Sequence, residues 1–154
     1  MADINDSDAR PTSLRHLVGM KNVVNQVQVA IDASFADQSK FPHSLFVSEA
    51  GLGKTELCNV IKAEMAVTMH SVLGISIDHV SELNALVLSA NDKDIVYIDE
   101  ADGLKNEFQN ALYLMIDRRE VVLSRGNRSP QKITSPDVTF LLSTNFEYSL
   151  LPAL

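Results

Sequence analysis

The chain predicts an α/β fold: a mostly parallel sheet with helices on both faces and one inserted β-hairpin. Three observations carry this expectation. Short apolar runs alternate with stretches of helical spacing along the 154 residues, the pattern that builds parallel sheets through helical crossovers. Ile95-Val96-Tyr97-Ile98 is a continuous apolar run, as expected of a strand buried on both faces. Leu45 to Thr55 reads as a short strand, a glycine-bearing loop and the start of a helix, which is the context of a phosphate-binding loop.

The remaining elements follow in order. Residues 1–9 are polar and acidic and are expected to be disordered, as such termini usually are; residues 10–154 make one domain. Arg10 to Leu14 enters the fold, and Val18-Gly19-Met20 reads as a turn. Asn22 to Phe35 is a helix through Val23, Val24, Val27, Ala30 and Ile31. Leu45 to Val47 is a buried strand, followed after the loop by a helix ending near Met65. Thr68 to Leu73 is a second strand and Val80 to Ser89 a helix through Leu83, Leu86 and Val87. Ile95 to Ile98 is a strand, then Asn106 to Ile116 a helix with Phe108, Leu112, Met115 and Ile116 inward. Glu120 to Ser124 and Gln131 to Thr134 flank Arg125-Gly126-Asn127-Arg128-Ser129-Pro130, a hairpin with a longer loop. Thr139 to Ser143 is the last strand.

Composition narrows the function classes. A net charge of −7 argues against a nucleic-acid-binding domain as such, although Arg118, Arg119, Arg125, Arg128 and Lys132 concentrate positive charge at the hairpin. No apolar run approaches membrane-spanning length, so no membrane partner and a cytoplasmic location are expected. The single cysteine, Cys58, excludes an internal disulfide and falls on the apolar face of the loop helix, where packing is its expected role. The four histidines have no ligand spacing, so no zinc site is expected.

The chemistry concentrates at strand ends. In the loop, the backbone N–H groups of Gly51, Gly53, Lys54 and Thr55 can turn inward around phosphate oxygens, where the helix N-terminus adds partial positive charge. Lys54 can reach the β- and γ-phosphates, and the Thr55 hydroxyl can ligate Mg²⁺. The first glycine of G-x-x-x-x-G-K-[ST] is replaced by Ser48, which fits the turn if its φ stays negative, and Glu49 adds a carboxylate nearby. Asp99-Glu100 ends the Ile95–Ile98 strand, on the edge of the sheet where ligands bind. Asp99 can hold Mg²⁺ through water and Glu100 can polarise an attacking water. The last strand ends Ser143-Thr144-Asn145; Asn145, with Thr144 as the alternate, can orient that water or sense the γ-phosphate.

Together the loop, the Ile-Asp-Glu box and the Ser-Thr-Asn strand end resemble the AAA+ branch of the P-loop NTPases. The finer resemblance is to RuvB-type motors, which migrate Holliday junctions. It rests on Arg10-Pro11 with Leu14 and Val18-Gly19, on His43 ahead of Gly51-Leu52-Gly53-Lys54-Thr55, and on Leu112-Tyr113, Met115 and the hairpin around Gly126. It covers nearly everything after Ala9. Asp99-Glu100-Ala101-Asp102 and Asn145 are more similar to clamp-loader ATPases.

The resemblance implies an ATPase that drives branch migration of DNA junctions in recombination and repair. It implies ATP or ADP with Mg²⁺ as cofactors, with Leu17 and Val18 bordering adenine and Leu52 completing the loop contacts. It further implies a homo-oligomer, hexameric in complete members, a RuvA-like partner at the Glu120–Thr134 hairpin, and DNA contact through domains outside this chain. In the family the sheet runs 5-1-4-3-2. The fifth strand, the lid and the arginine finger are therefore expected beyond Leu154, which leaves Leu45 to Val47 as an exposed edge of the sheet, and the isolated chain is expected to bind nucleotide without turning it over. Two alternatives are a clamp-loader-like ATPase and a nucleotide-binding or assembly module without turnover.

Overall fold

The computed structural model describes residues 11–124 and 129–154; the disorder expected of residues 1–9 and the Arg125-to-Arg128 hairpin tip lie outside them. Four helices are described: α1 (Lys21–Ala36), α2 (Lys54–Met65), α3 (Val80–Leu88) and α4 (Asn106–Arg118). Six strands are described: β1 (Ser44–Val47), β2 (Met69–Leu73), β3 (Ile95–Asp99), β4 (Glu120–Leu123), β5 (Gln131–Thr134) and β6 (Thr139–Thr144).

The main sheet has the order β1-β6-β3-β2, and every pairing is parallel. The two central strands are β3 and β6, which explains the apolar runs Ile95 to Ile98 and Phe140 to Leu142: these residues and the flanking Thr139, Ser143 and Thr144 are all buried. Side chains alternate across the pleat. Ile95, Tyr97 and Leu141 pack on α1 and α2 with Val27, Ile31, Leu57, Val60 and Ile61. Val96, Ile98, Phe140 and Leu142 pack on α3 and α4 with Leu83, Val87, Phe108, Leu112 and Met115. One sheet thus separates two apolar layers, and Cys58 lies fully inside the first.

The Leu45–Val47 strand departs from expectation. It is not buried on both faces: Leu45 is 36% and Val47 45% exposed, because β1 pairs with β6 alone. Its outer backbone edge has no strand beside it among the described residues. The hairpin forms as a separate antiparallel pair, with Glu120 opposite Thr134 and Leu123 opposite Gln131. Buried Val121 anchors β4 to the α3–α4 layer, whereas β5 is exposed throughout.

Asp94, just before β3, anchors the opposite end of the sheet. Its carboxylate accepts the N–H groups of Asn91 and Thr68 and lies 3.3 Å from His70 Nε2. Burial works against its ionisation, but these hydrogen bonds outweigh it and hold the carboxyl below its ordinary range. The Thr139 hydroxyl donates to the Phe41 carbonyl, tying the start of β6 to the segment that leads into β1.

Candidate functional site

Parallel pairing brings the carboxyl ends of β1, β3 and β6 together, and every residue singled out for phosphate or metal chemistry lies there. Between β1 and α2 the chain turns through Gly51 and Gly53, with φ of +79° and +80°. Only glycine adopts such values readily. Ser48 and Glu49 are not among the residues at positive φ, so the serine fits the turn without strain. The loop delivers Lys54 and Thr55 as the first two residues of α2.

A cleft of about 310 Å³ is lined by Gly51, Gly53, Lys54, Thr55, Asp99, Glu100 and Asn145, together with Ala50 and Glu56. Lys54 Nζ donates to the carbonyls of Ser48 (2.7 Å) and Glu49 (2.9 Å) and to Asn145 Oδ1 (2.8 Å). The lysine is thereby held across the loop, against the end of β6. Thr144 points elsewhere: it is 1% exposed and its hydroxyl donates to Asp102 Oδ1 at 2.6 Å.

Asp99 and Thr55 form the second half of the cleft, with the Thr55 hydroxyl 3.2 Å from Asp99 Oδ2. Burial alone would raise the Asp99 carboxyl. Donation from the Ser143 and Thr55 hydroxyls and from the Glu100 N–H outweighs it and leaves the carboxyl lowered. An ionised carboxylate beside a hydroxyl is a donor set that fits Mg²⁺, which binds through one or two protein oxygens and keeps several waters. Among the described residues no group of three His, Cys, Asp or Glu side chains could hold a metal, so the fit is to a hydrated ion. Beneath this pair Tyr97 joins the Thr55 and Ser143 hydroxyls at 3.3 and 3.2 Å, and burial pushes its phenol upward, so it stays a neutral hydrogen-bonding group. Burial likewise pushes the Cys58 thiol up to about 12, which leaves it unreactive.

Glu100 is exposed at the cleft rim in the left-handed region, φ +51°. Its N–H points back to Asp99 Oδ1 and Ser143 Oγ. The turn holds because Gly74 packs against it: a Cβ on Gly74 would lie 2.4 Å from the Glu100 carbonyl oxygen.

A second, larger hollow of about 940 Å³ adjoins the first and shares Gly51, Gly53 and Glu56 with it. Leu17, Val18 and Leu52 line it, as does Met20. Val18 is 93% exposed, an apolar side chain at the edge of this hollow. Sequence reasoning missed Tyr97, Ser143, Asp102 and Met20. The first two carried a signal, being hydroxyls inside otherwise apolar strands.

The fold and cleft define a P-loop nucleotide-binding domain with an acidic strand end and a polar strand end beside the loop. Residues 9–150 match the family model of the Holliday junction DNA helicase RuvB P-loop domain, and the chain belongs to that family. It is 30% identical over 148 residues to the Holliday junction branch migration complex subunit RuvB of Staphylococcus saprophyticus, covering 94% of this chain and 44% of that one. The Thermotoga maritima RuvB Holliday junction branch migration motor superposes with a TM-score of 0.79 at 23% identity, over 94% of this chain and 45% of that one. A variant of the same protein gives 0.84 at 23% identity, over 95% and 45%. The chain therefore spans less than half the length of the relatives it matches.

Proposed function

We propose that this chain is the ATP-binding core of a RuvB-type AAA+ motor that couples ATP hydrolysis to branch migration of DNA junctions. One observation carries the reading: Lys54, Thr55, Asp99, Glu100 and Asn145 converge on a single cleft at the carboxyl end of a parallel sheet. Leu17 and Val18 border the adenine, and the loop from Gly51 through Leu52 to Gly53 surrounds the phosphates. Lys54 exchanges its internal carbonyl partners for phosphate oxygens. Thr55 and Asp99 hold hydrated Mg²⁺, which when bound neutralises charge developing on the phosphates. Glu100 accepts a proton from the attacking water, and Asn145 orients that water or the γ-phosphate.

The same reading makes the protein a homo-oligomer, hexameric as expected of complete family members, that acts on DNA in the cytoplasm. No described helix is long and apolar enough to cross a membrane. The exposed strand β5 and the partly exposed Ile133 suit the hairpin to a RuvA-like partner protein. Glu49 favours a second reading, a nucleotide-binding module without turnover, since its carboxylate adds negative charge beside the phosphates. Phosphate release by the protein, with and without Glu100→Gln, separates the two. Turnover that falls at least about 100-fold in the variant, with nucleotide binding retained, supports the motor; no turnover in either supports the module.

A further inference from the structure

The acidic box does more than supply Asp99 and Glu100. After Glu100 the chain makes a 3-10 turn, Ala101–Gly103, which directs Asp102 away from the metal side of the cleft and toward the end of β6. There a single oxygen, Asp102 Oδ1, accepts both the Thr144 hydroxyl at 2.6 Å and the Asn145 N–H at 3.4 Å. The Thr144 oxygen in turn accepts the Phe146 N–H at 2.9 Å. The backbone is therefore pinned on both sides of Asn145. Its side chain points back into the cleft, where Oδ1 receives Lys54 at 2.8 Å.

We infer that Asp102, acting through the Thr144 hydroxyl, is a positioning residue that fixes Asn145 and thereby sets the preference of the site for a triphosphate over a diphosphate. This rests on the reading of Asn145 given above. The physical reason is that a strand end has lost its pairing partner on one side and would otherwise sample several φ/ψ states. Ordering a residue only on binding costs roughly 1–2 kcal/mol of backbone entropy; here the carboxylate has already imposed the order. A group aimed at the γ-phosphate gains from this only when that phosphate is present. The α- and β-phosphates are served by the loop and by Lys54, which gives up Asn145 Oδ1 for a phosphate oxygen when nucleotide binds, so their contacts do not depend on where Asn145 is held. Loss of the clasp should therefore weaken triphosphate binding and leave diphosphate binding alone. A merely structural role would weaken both.

The test titrates fluorescent ADP and a fluorescent non-hydrolysable ATP analogue, with Mg²⁺, into the wild type, Asn145→Ala, Asp102→Ala, Asp102→Asn and Thr144→Val. The expected result is a loss of roughly 5- to 10-fold in triphosphate affinity, the scale of one hydrogen bond, in Asn145→Ala, Asp102→Ala and Thr144→Val. Diphosphate affinity stays within about twofold on the same argument. Asp102→Asn keeps an oxygen acceptor and should recover most of the preference. Thr144→Val is nearly isosteric and keeps the question answerable if Asp102→Ala does not fold. Loss of preference in Asn145→Ala alone, with Asp102→Ala and Thr144→Val like the wild type, overturns the clasp and spares the site. A wild type that shows no triphosphate preference overturns the clasp as well. A wild type that binds neither nucleotide overturns the functional reading, and the clasp with it.

Discussion

Replacing Lys54 by Ala should separate a residue that serves a ligand from one that serves the fold. Nζ rests on the carbonyls of Ser48 and Glu49 and on Asn145 Oδ1. All lie at a partly exposed rim where water can take the place of the ammonium, so the empty protein should lose no more than about 1 kcal/mol. Bound nucleotide loses a charge-assisted bond worth about 1.5–3 kcal/mol, or roughly 10- to 150-fold in Kd. Linkage turns this into a melting experiment. With Mg·ADP at about 100 times the wild-type Kd, the wild type gains about 2.7 kcal/mol, and a variant binding 100-fold more weakly gains about 0.4 kcal/mol. At about 2–4 °C per kcal/mol for a domain of this size, an upshift of roughly 5–11 °C shrinks to about 1–2 °C. Differential scanning fluorimetry of both proteins, with and without nucleotide, measures this. Equal upshifts would remove Lys54 from the phosphate site. A variant that melts far lower than the wild type even without nucleotide would make the lysine structural.

Other consequences follow from the same contacts. Gly74→Ala places a methyl against the Glu100 carbonyl, so the variant should be less stable by about 1–3 kcal/mol in urea unfolding; an unchanged midpoint would show that the Glu100 turn moves freely. Asp94 has a lowered carboxyl in the folded chain, so its contribution is present above the unfolded value of about 3.9 and is lost as pH falls through the folded value. Unfolding at pH 6 and at pH 3.5 should therefore cost the wild type more stability than Asp94→Asn; equal losses would mean that the hydrogen bonds to Asp94 do not favour its charge.

Most of the fold was legible because hydrophobic pattern and strand position are the same fact seen twice. Residues 95–98 and 140–142 are apolar without alternation since both faces of β3 and β6 are covered, and the helices beside them show their buried stripes at Leu83 and Val87 or at Phe108, Leu112 and Met115. The misjudged strand was β1. Four residues are too short for periodicity to distinguish a central strand from an edge, and Leu45 and Val47 are apolar although partly exposed. The reading of the sheet order placed this strand at an edge; the reading of its side chains placed it inside. Topology outweighed composition, because a strand with one neighbour cannot be closed on both sides.

The site was legible in its local part and illegible in its long-range part. Gly51, Gly53, Lys54 and Thr55 announce themselves because one short loop must supply the left-handed turns, the cation and the hydroxyl together. Asp99 and Asn145 could be placed because parallel strands put their carboxyl ends on one edge. The supporting contacts join residues more than forty positions apart: Thr55 with Tyr97, Tyr97 with Ser143, and Thr144 with Asp102. Pattern says which face a side chain takes, but which two hydroxyls meet depends on register, and a register shift of one residue would send Ser143 to the opposite layer. The pairings Ile98 with Leu142 and Val47 with Thr144 therefore do chemical service. They set Asp99 over Ser143 and bring Asn145 level with the loop lysine, so the apolar core fixes the geometry of the polar cleft above it.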